Sequence, residues 1–374
     1  PAAQVLSGAM EIDVVLPCLN EAGALPWVLS RMPAGYRPIV ADNGSEDGSA
    51  ELAQSAGAQV VHELRRGYGS AYIAGFGAAQ GTYILMADAD LTYDFNEIPS
   101  FLRKLQDGAD MVIGDRMENI HPGAMPWHHR YIGNPLLSRL LNVLFHTGVR
   151  DAHCGMRAFR RDRLERLALR TTGMEFASEM VVRAAKERLD IREIPIEYHP
   201  RGGESKLSSF RDGWRHVRFL LLHSPNHLFI LPGALMALLG GLISLTVLAH
   251  VPVLERQWDL HTLIGGSLLL IVGAQLVGLG LCAHAYATYF MGERDAWFDN
   301  VRKRLRLEHG LMLGSVIALV GVLMLVVLVL DWISRGLGNL AQERTAIAAA
   351  TLFVLGIQIV FTSFLLSILG LRRD

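Results

Sequence analysis

Cysteine is scarce in this chain. Only Cys18, Cys154 and Cys282 occur in 374 residues. They are odd in number and far apart, which excludes a zinc-ligand spacing and a disulfide framework and fits a reducing compartment. Charge imbalance is equally slight, with 35 basic and 36 acidic residues. No basic footprint points to nucleic acid, so no such partner is expected. The first residues also lack a basic region followed by an apolar core, and no signal peptide is expected.

The most telling scarcity is local. No Asp, Glu, Lys or Arg occurs between Arg218 and Glu255, or between Asp259 and Glu293. Two more charge-free windows run from Gly310 to Leu330 and from Thr345 to Leu371. Each supplies the roughly 20 apolar residues that a bilayer crossing needs. The expectation is an all-α transmembrane domain over 227–374, with four helices at about 228–250, 261–290, 310–332 and 345–370. The second connection carries Arg294, Arg302, Lys303, Arg304 and Arg306. The first has only Arg256, and the third Arg335 and Arg344. Arg372 and Arg373 follow the last helix, and the segment before the first is also basic. Positive charge stays on the cytoplasmic side, so both ends and the middle loop are expected there, in a cell (inner or plasma) membrane.

Residues 12 to about 200 read differently. Short apolar runs alternate with helical patterns, the signature of βαβ units and a parallel sheet. Strands are expected at 12–16, 38–41, 59–62, before Asp88, and at 110–114. Polar clusters follow several of them: Pro17-Cys18-Leu19-Asn20-Glu21, Asp42 to Ser49, and Asp88-Ala89-Asp90. In an open α/β sheet, ligands bind at the carboxyl ends of the strands. An Asp-x-Asp delivered there offers hard oxygen ligands for Mg²⁺ or Mn²⁺ held against a diphosphate. Gly67 and Gly69 permit close backbone approach but lack the third glycine of a dinucleotide fingerprint.

These pieces resemble an inverting family 2 glycosyltransferase with the GT-A fold, of the dolichyl- or polyprenyl-phosphate sugar synthase type. The matching segments are PCLNE (17–21), DNGSEDGS (42–49), RGYGSAY (66–72), DADL (88–91), DAHCGMRAF (151–159), EFASEMVVR (175–183), EIPI (193–196) and SKLS (205–208). They span the soluble part in family order. With the RDGWR segment (211–215) and the four-helix tail, the chain looks most like the bacterial polyprenyl-phosphate glucose synthase branch. The fold implied is an α/β GT-A (Rossmann-like) domain over 1–205, an amphipathic interface helix over 206–226, and the transmembrane domain, whose middle loop adds a basic interfacial segment at 293–308.

By this resemblance Asp42 holds the base of a nucleotide sugar, and Pro17, Asn20, Glu21, Gly69 and Asp88 line the nucleotide site. Asp88 and Asp90 ligate the divalent metal, Mg²⁺ or Mn²⁺. Relatives of the mannose-synthase kind often have Gln where this chain has Thr92, which leaves the third protein ligand open. Arg116 and Arg130 match the family's phosphate-binding arginines, and Lys206 is a further candidate for the acceptor phosphate. That acceptor is a polyprenyl phosphate, already anionic near neutral pH, so no strong general base is required. Asp90, Arg116 and Arg130 form the expected catalytic set. The donor expected is UDP-glucose, with GDP-mannose as the alternative, and related assemblies suggest a homo-oligomer.

Other acids and histidines have two readings. Either Glu175 or Glu179 faces the site, or such acids pair structurally with Arg157 or Arg160. His128, His129 and His153 fit no zinc signature and read as surface or loop residues. His250 and His284 lie near helix ends and read as interfacial. Phe210, Trp214, Val217 and Leu221 sit at helical spacing amid Arg211, Arg215 and Arg218, as in a helix lying among lipid headgroups. Trp297, Phe298, Val301 and Leu305 repeat this among basic neighbours. A transporter is the rival of a different class, but the apolar helices offer no ion path or proton relay. A processive polysaccharide synthase would carry Gln-x-x-Arg-Trp, and that motif does not occur. A noncatalytic scaffold would not need Asp42, Asp88, Asp90 and Arg116 intact.

Overall fold

The computed structural model describes residues 12–202, 209–252, 258–290, 296–304, 307–337 and 342–370. The chain divides into two compact units, Pro1–Leu220 and Leu221–Asp374.

The first unit is built on strands β1 (Ile12–Cys18), β2 (Tyr36–Asp42), β3 (Gln59–His62), β4 (Tyr83–Met86), β5 (Met111–Asp115), β6 (Arg157–Arg160) and β7 (Ile191–Pro195). Helices α1 (Leu25–Ser30), α2 (Ser49–Ser55), α3 (Tyr68–Ala78), α4 (Ile98–Gln106), α5 (Asn134–Phe145), α6 (Arg161–Arg166) and α7 (Phe176–Lys186) connect them, and α8 (Ser209–Leu222) follows β7. Strand β1 is an almost unbroken apolar run, buried on both faces, as a strand covered by helices on each side must be. Asp13 in that strand is fully buried. Its carboxylate takes two bonds from Arg37 (2.7 and 2.6 Å) and two from the amides of Gln80 and Gly81. Burial works against its charge, but these donors outweigh burial and hold the carboxyl below its ordinary range.

The seven strands described lie in the order β3-β2-β1-β4-β6-β5-β7. The parallel sheet expected from the βαβ pattern is corrected at one strand, because β6 runs antiparallel to both β4 and β5. Alternation of strand and helix cannot reveal this reversal, since the long connection before β6 accommodates either direction. The reversal has a consequence for the site. An antiparallel strand presents its beginning where its neighbours present their ends, so the loop entering Arg157 arrives beside the carboxyl end of β4.

The second unit contains α9 (Leu231–Leu248), α10 (Leu260–Phe290), α11 (Ala296–Arg304), α12 (Leu307–Ser334) and α13 (Glu343–Gly370). Among the described residues, four helical segments are long and apolar enough to cross a membrane: Asn226–Leu248, Leu260–Phe290, Leu307–Ser334 and Glu343–Gly370. Even the shortest, at 23 residues, reaches about 34 Å at 1.5 Å per residue, more than a hydrocarbon core. The chain is therefore a membrane protein. Between α9 and α10, a Cβ on Gly240 would fall 2.5 Å from the Gly266 carbonyl oxygen. Small residues let these backbones touch, which is how helices associate where lipid removes the hydrophobic drive. His284 is buried, with Nε2 2.9 Å from Asn226 Oδ1 and its ring stacked on Phe298. Leu305, Arg256, Arg294, Arg306, Arg372 and Arg373 lie outside the described residues.

Candidate active site

The carboxyl ends of β1, β2 and β4 share one edge of the sheet, through the register pairs Cys18–Asp42 and Val15–Met86. At the first two, short polar side chains bind the loops to each other. The amides of Asn20, Glu21 and Ala22 donate to Ser45 Oγ, Ser49 Oγ and Asp47 Oδ2, each at 2.9 Å. In return Asn20 Oδ1 accepts from the Glu46 amide at 2.8 Å. Asn20 takes a positive φ of 53°, which asparagine tolerates better than most residues. Asp42 is buried at the end of β2, accepting from the Ser45 amide and lying 3.2 Å from His62 Nδ1. Pro17 is half-buried next to Cys18.

Asp88 and Asp90 follow β4. The Tyr68 and Tyr72 hydroxyls donate to Asp88 Oδ1 at 3.0 and 3.3 Å. Tyr72 in turn stacks flat on Phe176, so the carboxylate sits against an aromatic wall. Burial, then the neighbouring charge of Asp90, raises Asp88 from its ordinary 3.8 to about 6. Asp90 is buried, and its Oδ1 accepts from both the Thr92 hydroxyl (2.5 Å) and the Thr92 amide (3.2 Å). Thr92 thus spends its hydroxyl on orienting Asp90, as in an Asx turn.

Gly155, brought in by reversed β6, closes the far side. A Cβ there would lie 2.5 Å from Asp88 Oδ2, while its amide donates to Tyr93 Oη at 2.8 Å. Arg201 was missed by the sequence reading. Its guanidinium lies 3.5 Å from Asp90 Oδ2 and 3.2 Å from Glu21 Oε1. Its signal was a cation before a glycine pair, between the EIPI and SKLS segments. The two carboxylates are hard oxygen donors that fit a divalent ion of the Mg²⁺ or Mn²⁺ kind, and Arg201 is the counter-charge to Asp90 here.

Arg116 stands just past β5 and is buried. Asp151 grips it with both oxygens, from Nε at 2.7 Å and Nη2 at 2.9 Å. Its guanidinium also lies 5.0 Å from the Tyr198 ring centre. Burial opposes the charge, but Asp151 outweighs burial and holds the guanidinium firmly protonated. Asp151 is itself positioned by Glu193 of β7, which accepts from the amides of Arg150 and Asp151. Arg130 lies in the turn His129–Gly133 that leads into α5, its guanidinium 5.4 Å from the Tyr131 ring centre. His129 beside it is lowered by burial, by His128 and by the charge of Arg116. Lys206 lies outside the described residues.

Gly69 gives its amide to the Thr172 carbonyl at 3.0 Å, and a Cβ there would fall 2.2 Å from the Thr171 carbonyl oxygen, so only glycine fits this position. Two other expectations change. Glu179 pairs with Arg183 (2.8 Å) and caps the amides of Arg170 and Thr171; neither Arg157 nor Arg160 is its partner. Arg157 is fully buried and donates to the carbonyls of Ala152, Cys154 and Ala177, fixing the loop before β6. His153, read as a surface or loop residue, is in a loop but lies close to Ser178 Oγ and His216 on α8. Burial, then His216, pushes it well below its ordinary value. Burial likewise pushes the Cys154 thiol up to about 12, so it is no nucleophile.

Comparison with known proteins now bears on this geometry. The description "Glycosyl transferase family 2" matches residues 13–168, and "Glycosyltransferase family 2 C-terminal transmembrane region" matches residues 281–370. The low-salt glycan biosynthesis hexosyltransferase Agl6 of Haloferax volcanii is 41% identical over 97% of this chain and 90% of its own length. The chain belongs to glycosyltransferase family 2. A dolichyl-phosphate hexose transferase from the same organism is 36% identical to this glycosyltransferase over 54% of this chain and 89% of its own length. Among solved structures, glucosyl-3-phosphoglycerate synthase from Mycobacterium tuberculosis, bound to Mn²⁺, UDP-glucose and phosphoglyceric acid, is similar over 57% of this chain and 79% of that one. The identity is 22% and the TM-score 0.47. This family 2 enzyme joins an α/β unit matched by the glycosyl transferase description to an apolar helical unit matched by the transmembrane one.

Proposed function

We propose that this glycosyltransferase moves one hexose from a nucleotide sugar, UDP-glucose first and GDP-mannose second, onto a polyprenyl phosphate with inversion at the anomeric carbon. The observation that carries the reading is one chain holding both a carboxylate-lined transferase site and four bilayer-length helices. An acceptor confined to lipid accounts for that union, and the relative named as a dolichyl-phosphate hexose transferase supports it.

Asp88 and Asp90 hold Mg²⁺ or Mn²⁺ in this reading. When bound, the ion supplies positive charge to the leaving nucleoside diphosphate. The chain does the rest. Pro17, Asn20, Glu21 and Asp42 line the nucleoside pocket on their cross-linked loops, and Gly69 backs it from α3. Arg116 and Arg130, with Lys206, receive the acceptor phosphate and set one of its oxygens opposite the leaving group. That oxygen forms the new bond to the anomeric carbon as the bond to the diphosphate breaks. No proton is removed, because the acceptor oxygen is already ionised. The exposed Phe210 and Trp214 of α8, beside Arg211 and Arg215, seat the domain among headgroups on the cytoplasmic side.

The test is a panel of radiolabelled nucleotide sugars offered with polyprenyl phosphate in detergent. One donor should label a lipid product, and Asp90→Ala should abolish it. No lipid product from any donor, with sugar polymer formed instead, would overturn the reading.

A further inference from the structure

A second group of metal-ligating side chains stands apart in chemistry from the aspartate pair. Glu197 Oε2 lies 3.3 Å from His121 Nε2 and 3.4 Å from His199 Nε2. The two imidazoles stack with centres 4.4 Å apart, and one ligand atom from each of the three residues falls within 4.8 Å of the others.

Both contacts stand at the long end of the range for an N–H···O bond. They also equal the roughly 3.3–3.4 Å between ligands about 2.0–2.1 Å from a tetrahedral ion. Two imidazoles and a carboxylate suit zinc, whereas Mg²⁺ and Mn²⁺ favour oxygen. All three side chains are partly exposed, by 44%, 54% and 34% for His121, Glu197 and His199, so an aqueous ion reaches them.

The backbone beneath is already fixed. The His121 amide donates to the Tyr198 carbonyl, and the Tyr198 amide to Asn119. Glu97 Oε1 accepts from the Glu197 amide at 3.0 Å, and the His199 amide donates to the Thr92 carbonyl at 3.0 Å. His121 follows the segment that begins at Arg116. Glu197 and His199 flank Tyr198, whose ring covers Arg116, and precede Arg201.

We propose that His121, Glu197 and His199 bind a zinc-class ion in a tetrahedral site with one position open to water. The ion ties the segment after Arg116 to the segment carrying Tyr198 and Arg201. It positions those residues and takes no part in bond-making.

Full-length protein in detergent, stripped with chelator, would be loaded with Zn²⁺ and desalted, and its retained metal measured. Co²⁺ would serve as a spectroscopic probe. Wild type and Asp90→Asn should retain one equivalent, with the intense visible bands of tetrahedral Co²⁺. Glu197→Gln and His199→Gln should weaken binding by more than the roughly hundredfold that loss of an outer partner costs. Zinc should raise the melting temperature of wild type and not of these two. His121→Gln, on the other segment, repeats the test if either variant folds poorly. No retained zinc in wild type would overturn the proposal. So would retention lost in Asp90→Asn and kept in His199→Gln.

Discussion

Asp151 holds Arg116 by both carboxylate oxygens, at 2.7 and 2.9 Å, with neither side chain exposed beyond 7%. An arginine clasped this way has one orientation, and lysine cannot reproduce the fork. We expect Arg116→Lys to raise the KM for lipid phosphate more than that for nucleotide sugar, which initial-rate kinetics with each substrate varied would reveal. Asp151→Ala leaves a buried cation unpaired and should cost about 3–5 kcal/mol of stability, seen as a lowered melting temperature.

Gly155→Ala adds one carbon where Asp88 Oδ2 already lies 2.5 Å away. The carboxylate must shift, and a displacement near 1 Å at a reacting centre costs on the order of a hundredfold. The expected result is that loss in kcat at saturating Mn²⁺, with the melting temperature nearly unchanged.

Asp88 has its carboxyl raised to about 6 by burial and by Asp90. A proton competes with metal there, so Mn²⁺ affinity should fall about tenfold per pH unit below that value and level off above it. The bond from Tyr68 lowers the pKa. Tyr68→Phe should therefore move the break upward in pH, and metal titrations between pH 5 and 8 would detect the shift.

Asp13 has the opposite sign. Its carboxyl is held below the ordinary 3.8 by Arg37 and by the amides of Gly81 and Gln80, against burial. The stability it contributes is fully present above that value and lost as pH falls through the lower folded one. Asp13→Ala should destabilise the protein by about 3 kcal/mol at neutral pH, with the difference shrinking in strong acid. Thermal melts from pH 7 down to 3 would check both parts.

The fold was legible where chemistry repeats locally. Strands β1 and β4 announced themselves as apolar runs ending in polar clusters, and the membrane helices as windows without charge. The direction of β6 was not legible, because a four-residue strand has the same pattern read either way. The site divided along the same line. The positions of Asp88, Asp90 and Asp42 were readable because the first two follow the apolar strand β4 and the third ends β2. Arg201 was not, since its contacts with Asp90 and Glu21 span 111 and 180 positions. The partners of Asp151 and Glu179 were likewise invisible, because buried acids choose among several arginines by geometry alone. The spacing of His128, His129 and His153 fits no zinc signature, and the pair that converges, His121 and His199, is brought together by the isolated Ile120–Tyr198 bridge.

The reversed strand also sets an order of events during synthesis. Both aspartates and the loops of β1 and β2 precede β6 in the chain. Asp151 and Gly155 come later, and they dock only when β6 inserts between β4 and β5. Glu193 then has to follow with β7 to hold Asp151. A nascent chain therefore carries its pair of carboxylates before it has the wall that confines them.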